Sequence, residues 1–302
     1  MNPWTPLVMA TLGWAASAVL TRGLIVRGVN TWTLIPLRMT FAIVTLLAVA
    51  GITRRFWHTE AAAWKRGLIL GTIAMALPMT LMTLGLEDLP VSLGGLLVAL
   101  IPLSTIGAAH FLVEGERFQV KSLPGLLVAL VGTGVLVGIG GETLEGVGNL
   151  WRGVGLTIAG VTIGGIGGAL SRRFALEVPS DDLVLPQFVV NTVFVVLVLP
   201  LLFDFDLGQV DGVSWLLLLL LGAVGTTVAF TAFLIGAGMN PASRLALTGY
   251  SVPVVAVSLA IVFLGERLTL SVALGAALII AGVVLAERHT SHVPQPGVST
   301  AR

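Results

Sequence analysis

The sequence predicts an all-α polytopic membrane protein: ten transmembrane helices in a 5+5 inverted-topology repeat, with both termini cytoplasmic. Three observations carry that expectation. Hydrophobic residues make up 56% of the 302-residue chain and charged residues only 10%, against roughly 25% charged in a soluble domain. Apolar runs of about 20 residues, the length that crosses a ~30 Å hydrocarbon core, recur along the chain. The sequence also resembles itself when it is shifted by half its length.

Ten runs bounded by charge, Pro or Gly lie near residues 4–21, 32–52, 67–86, 91–113, 123–140, 152–171, 183–203, 213–236, 241–263 and 270–286. Barrel strands would alternate apolar and polar residues, whereas LLLLLLGAVG is apolar without a break, so the spans must be helices. No basic residue precedes the first run, and that run is expected to stay in place as a span rather than be cleaved as a leader. With the N-terminus cytoplasmic, eleven of the sixteen basic residues face the cytoplasm, the loop TRRFWHTEAAAWKR foremost. Arg22, Arg27, Arg152 and Arg267 face outward and Arg38 lies within a span, a division that follows the positive-inside rule. Cysteine is absent, which removes thiol chemistry and disulfides.

The repeat is explicit in the residues. At a shift of 150, Gly115, Glu116, Arg117, Gly125 and Gly132 fall on Gly265, Glu266, Arg267, Gly275 and Gly282, and Leu20, Arg22 and Pro36 fall on Leu170, Arg172 and Pro186. At 151, Gly71, Gly85, Pro90, Ser92 and Pro102 fall on Gly222, Gly236, Pro241, Ser243 and Pro253. The expected domains are therefore a first repeat over residues 1–140, a second over 151–286, and a polar, Pro-containing tail over 287–302 that should be disordered. Five helices per copy is odd, so the second copy enters the membrane inverted. Inverted repeats are a mark of secondary transporters, whose site lies near the midplane between the halves.

Two stretches carry a resemblance beyond the chain itself: LIPLSTIGAAHFLVEGERFQVKSLPGLLVALVGTGVLV and YSVPVVAVSLAIVFLGERLTLSVALGAALIIAGVVLAE. Each has a Pro near a helix start, Gly-Glu-Arg at its end and a Gly-spaced helix after it. Over about residues 4–286 the sequence resembles the EamA-type transporters of the drug/metabolite transporter superfamily, and within them the YddG-type amino-acid exporters. The resemblance implies a secondary, alternating-access transporter of the bacterial inner membrane that exports small amphipathic metabolites, amino acids with aromatic or apolar side chains above all. An exporter of drugs or other metabolites on the same fold is the alternative. No cofactor is implied, and no partner beyond a small-molecule substrate and the lipid bilayer; a monomer suffices for the two-repeat architecture.

Eight residues are candidates to contact substrate. Met75, Met79 and Met82 share one helix face beside Pro78, which cannot donate a hydrogen bond to Ala74; such a stripe serves either as core or as an adaptable apolar wall, and Thr80 and Thr83 could add hydroxyls. Trp14 and Ser17 lie mid-span, too deep for the interfacial aromatic belt, and suit packing or cavity lining equally. Tyr250, the one tyrosine, precedes Pro253, and its hydroxyl must find a partner inside the membrane. Thr162 enters by repeat symmetry with the first helix. Arg38 either binds a substrate carboxylate or snorkels to the interface, and its repeat partner is expected to be Phe188. His110, with Glu114 one turn on, could couple protons or form an ordinary helix pair. Gly160, Gly164 and Gly168 form a small-residue stripe for close helix packing.

Several functions are disfavoured. No Asp or Glu falls deep in a span, which argues against tight proton coupling, and no GxxxxGK[ST] loop exists for ATP. The channel-like triplet Asn240-Pro241-Ala242 meets Leu89-Pro90-Val91 in the other repeat, not a second copy. The chain is not expected to be an enzyme, because GYSVP lacks a second Gly and HExxH is absent.

Overall fold

A computed structural model describes residues 2–53, 60–88, 97–98, 100–116, 120–138, 149–264 and 270–290. All regular structure among them is helical. The first repeat supplies α1 (Trp4–Val26), α2 (Thr31–Thr53), α3 (Ala61–Ile69, a π-helical stretch Leu70–Ala76, then Leu77–Glu87), α4 (Ile101–Leu112) and α5 (Leu123–Gly138). The second supplies α6 (Leu150–Glu177), α7 (Ser180–Val193, a π-helical stretch Phe194–Val198, then Leu199–Leu202) and α8 (Gly212–Gly222, a π-helical stretch Ala223–Val228, then Ala229–Met239). It closes with α9 (Ala242–Leu264) and α10 (Leu270–Thr290). Six segments among the described residues are long and apolar enough to cross a membrane: Trp4–Ile25, Thr31–Thr53, Ala61–Gly85, Trp151–Glu177, Ser180–Leu197 and Gly212–Met239. α3 starts at Ala61 rather than near residue 67, with Glu60 in extended conformation just before it. The expected tail lies outside the described residues apart from the end of α10.

Polar residues start the helices where an apolar run needs its first amides satisfied. The Asn149 side chain accepts from the Arg152 amide (3.1 Å), and Asp211 accepts from the Ser214 amide (2.7 Å). Ion pairs then collect at the two ends of the bundle. Arg27–Asp211 (3.0 Å) and Arg152–Asp88 (2.9 Å) lie at one end, and Arg173–Glu177 (3.2 Å) and Arg172–Glu116 (2.8 Å) at the other.

Packing reproduces the repeat. α3 lies on α6 and α7, while their counterparts α8 and α1, and α8 and α2, make the same contacts; α4 on α6 matches α9 on α1, and α5 pairs with α10. The crossings are close because glycine stands at them. A Cβ at Gly71 would lie 2.6 Å from the Gln187 carbonyl oxygen, and one at Gly222 2.9 Å from the Arg38 carbonyl oxygen. The next contacts are Val190 and Phe41, three residues further along α7 and α2. Packing thus makes Gln187, rather than Phe188, the repeat equivalent of Arg38, because the α2/α7 pair is offset by one residue from the sequence register. Phe188 is instead fully buried in the largest core cluster, built mainly from α2, α3, α7 and α8 with Leu24 of α1 and Phe174 of α6. A second cluster joins α4, α5, α9 and α10.

The two π-helical stretches of α3 and α8 also correspond: a shift of 151 carries 70–76 onto 221–227, overlapping 223–228. A π turn leaves carbonyls whose usual donor has moved one residue on. In α8 the Thr226 hydroxyl answers this by donating to Leu221 O (3.0 Å), five residues back, while the Thr227 hydroxyl lies 2.8 Å from Ala42 O of α2 and 3.1 Å from Gly222 O. Pro78 follows the α3 stretch and Ala229 stands at its equivalent, so proline alone does not cause the distortion.

Candidate functional site

α8 gathers three of the candidate residues. From α2, Arg38 donates through Nε to Thr226 Oγ1 at 2.7 Å, the one acceptor it has among the described residues. From α1, Ser17 packs on Gly225, where a Cβ would come within 2.9 Å of the serine Cβ. One turn further along α8, Trp14 meets Phe230 edge-on (centroids 5.4 Å, 80°) and Phe233 (5.1 Å, 49°). Aromatic pairs at such spacing add about 0.5–1.5 kcal/mol each beyond their area. Phe233 reaches on toward α6, 3.9 Å from a Cβ built on Gly168. The result is an aromatic group with a guanidinium one helical turn away.

The methionines stand on the equivalent helix of the other repeat. Met75 is 1% exposed in the main core, Met79 packs half-buried against that core, and Met82 lies over Gly160 of α6. Pro78 faces Gly164, so two members of the glycine stripe receive α3, while Gly168 turns to Thr105 of α4. Thr162 lies on the exposed face of α6. Tyr250 is apart from all of these. It is fully buried among Ile106, Leu126, Ala129 and Ile279, with its hydroxyl 3.4 Å from the Leu126 carbonyl oxygen. His110 is exposed on α4 with its ring 4.8 Å from that of Phe111.

Phe230, Phe233, Thr226 and Thr231 were not among the sequence candidates. The signal for them was the repeat itself, since a shift of 151 carries Met79 to Phe230, Met82 to Phe233, Met75 to Thr226 and Thr80 to Thr231. Thr80 and Thr231 share a further property: each Oγ1 is buried without a hydrogen-bond partner among the described residues. Unmade hydrogen bonds of this kind cost about 1–3 kcal/mol. A separate groove of about 250 Å³ runs between α1 and α9, with Trp4 and Arg244 at one end and Thr11, Thr248 and Ser251 along its walls. The Arg244 guanidinium stands 4.9 Å over the Trp4 ring.

A helical bundle with apolar spans, charges at its ends, two matching halves and a cationic, aromatic group where helices of both halves meet is a multi-pass membrane protein of the transporter class. The sequence matches the EamA-like transporter family twice, over residues 6–138 and 151–287. The chain belongs to that family and is a membrane transporter of small substrates. It is similar to the uncharacterized transporter YvbV of Bacillus subtilis (strain 168), at 24% identity over 247 residues covering 80% of this chain and 77% of the relative. A protein of known crystal structure shares the fold, with a TM-score of 0.79 at 24% identity, over 96% of this chain and 99% of that one.

Proposed function

We propose that this protein exports small amphipathic metabolites across the bacterial inner membrane by alternating access, with amino acids bearing aromatic or apolar side chains as the preferred substrates, in keeping with its resemblance to the YddG-type exporters. In this reading ten helices span the membrane and both termini are cytoplasmic. The observation that carries it is Arg38. An embedded charge is costly and is retained for function by default, and this one is held by Thr226, with no acceptor for its terminal nitrogens among the described residues. A substrate carboxylate supplies that acceptor. The substrate side chain lies against Trp14, Phe230 and Phe233 on one side and Met79 and Met82 on the other, with Ser17 and the Thr80 and Thr231 hydroxyls as polar contacts; Thr162, on the exposed face of α6, takes no part. Met75, fully buried, backs the wall on the α3 side, and Tyr250 packs apart from this group. His110 tunes a weak pH dependence and drives no tight coupling.

The test is a counterflow screen of amino acids in proteoliposomes containing this protein alone. Saturable exchange of apolar amino acids is expected, with at most a slight response to an imposed pH gradient. Exchange confined to solutes without a carboxylate would overturn the substrate assignment, and unitary currents or non-saturating flux would overturn the carrier.

A further inference from the structure

The buried ion pair at one end of the bundle has no part in the site above. Glu116 follows α4, and Gly115 before it has φ +81°, a conformation that favours glycine and reverses the chain. The Glu116 carboxylate accepts from Arg172 Nε at 2.8 Å and from the backbone amide of Ala242, the first residue of α9, at 2.6 Å. Arg172 in turn donates to the Ala237 carbonyl oxygen near the end of α8, at 2.9 Å. The two side chains are 8% and 7% exposed. Glu116 belongs to the first repeat; Arg172, Ala237 and Ala242 belong to the second. The carboxylate meets a helix N-terminus and the guanidinium a helix C-terminus, so each also complements a macrodipole.

A buried pair is stable only when every partner is in place, and removing one partner leaves a desolvated charge. The cluster is therefore close to all-or-none. Directly inside it lies a thin layer of small residues, Ala109, Val113, Ala169 and Ala242, at the junction of α4, α6 and α9. Small residues offer little apolar area to separate, so the cohesion of the α4, α6 and α9 junction owes more to the ion pair than to burial. The sequence keeps both members in both repeats, since a shift of 150 sets Arg22 at the place of Arg172 and Glu266 at that of Glu116. Glu266 and the side chain of Arg22 lie outside the described residues.

We propose that Glu116, Arg172 and the first amide of α9 form a latch between the two repeats, which closes this end of the transport path and must break for it to open. The proposal rests on the alternating-access reading. Because the chain has no cysteine, Ala169→Cys, fully buried behind the latch, reports opening through its labelling by a membrane-impermeant maleimide presented on that side. Glu116→Gln should raise the labelling rate by about ten- to a hundredfold, the range set by loss of a charged hydrogen bond. Ala242→Pro removes only the amide donated to Glu116, at a helix position that tolerates proline, and should raise the rate a few-fold. Met39→Cys, fully buried in the main core, should stay unlabelled in both backgrounds. Unchanged Ala169→Cys labelling in Ala242→Pro and Glu116→Gln, or an equal rise at Met39→Cys, would overturn the latch. Counterflow by the parent protein separates the two ideas: absent exchange there sinks the carrier reading, whereas labelling reports closure of this end independently of any flux.

Discussion

α3 and α8 are one backbone carrying two chemistries. α8 enters through a run of leucines and α3 through a segment carrying Lys65 and Arg66, but both widen into a π-helical stretch at a glycine that touches a neighbouring helix, and both return to regular helix. Their side chains agree at Thr80 and Thr231 and diverge at three other positions. Where α3 has Met75, Met79 and Met82, α8 has Thr226, Phe230 and Phe233. The distorted turn in α8 carries two hydroxyls: Thr226 donates to the Leu221 carbonyl and accepts from Arg38, and Thr227 reaches the Ala42 carbonyl of α2; the turn in α3 has Met75 and Ala76 there and can do neither. At the equivalent crossing of α3 on α7, Gln187 stands in the place that Arg38 has at the crossing of α8 on α2. Duplication thus preserved the backbone frame while the side chains it carries diverged, a hydroxyl and two aromatic rings in one half against three thioethers in the other.

The largest expected effect breaks that division at its charged end. Arg38→Met should lower export of amino acids by about ten- to a hundredfold, the cost of a charged hydrogen bond, while Gln187→Leu should cost no more than a few-fold. Equal losses in counterflow would mean that the two crossings share the work. Next, the shared frame should fail alike in both halves. Gly71→Leu and Gly222→Leu each drive a side chain into the backbone of the neighbouring helix, and each should destabilise the protein by at least about 1–3 kcal/mol, read as a lower unfolding temperature in detergent. A marked difference between them would show that the frame is not equivalent. A smaller effect is expected at Thr226, where Thr226→Val frees the Arg38 guanidinium and strips the Leu221 carbonyl of its donor. Export should fall about five- to tenfold, as for loss of about 1 kcal/mol, and Thr226→Ser should restore it.

The sequence made the frame legible and hid the site. Apolar runs, charge placement and the 150-residue shift are properties of composition and order, so they survive without coordinates. The π-helical stretches have no periodic signature, since they change which carbonyl a donor reaches without changing which residues are apolar. The Arg38–Gln187 correspondence was missed for a related reason: a residue's opposite number is defined by the crossing it makes, and α2 and α7 are offset by one residue from the aligned register. Phe230 and Phe233 were reachable, because the shift that defines the repeat carries Met79 and Met82 onto them. Deep aromatic residues inside an apolar run simply look like the run.

The smallest expected effect concerns Tyr250, and it sharpens the comparison from outside. A lone tyrosine in a span must hydrogen-bond to something, and a substrate is one answer. The Leu126 carbonyl is another, and at 3.4 Å it is a long, weak one. The surrounding side chains, Ile106, Leu126, Ala129 and Ile279, come from α4, α5 and α10, away from both α3 and α8. Tyr250→Phe keeps the ring and its packing, so it should change export by less than about twofold and cost at most about 1 kcal/mol of stability. A shift of substrate preference in counterflow, with stability unchanged, would instead draw Tyr250 into the site and extend recognition beyond the α3/α8 pair to the α5/α10 side of the bundle.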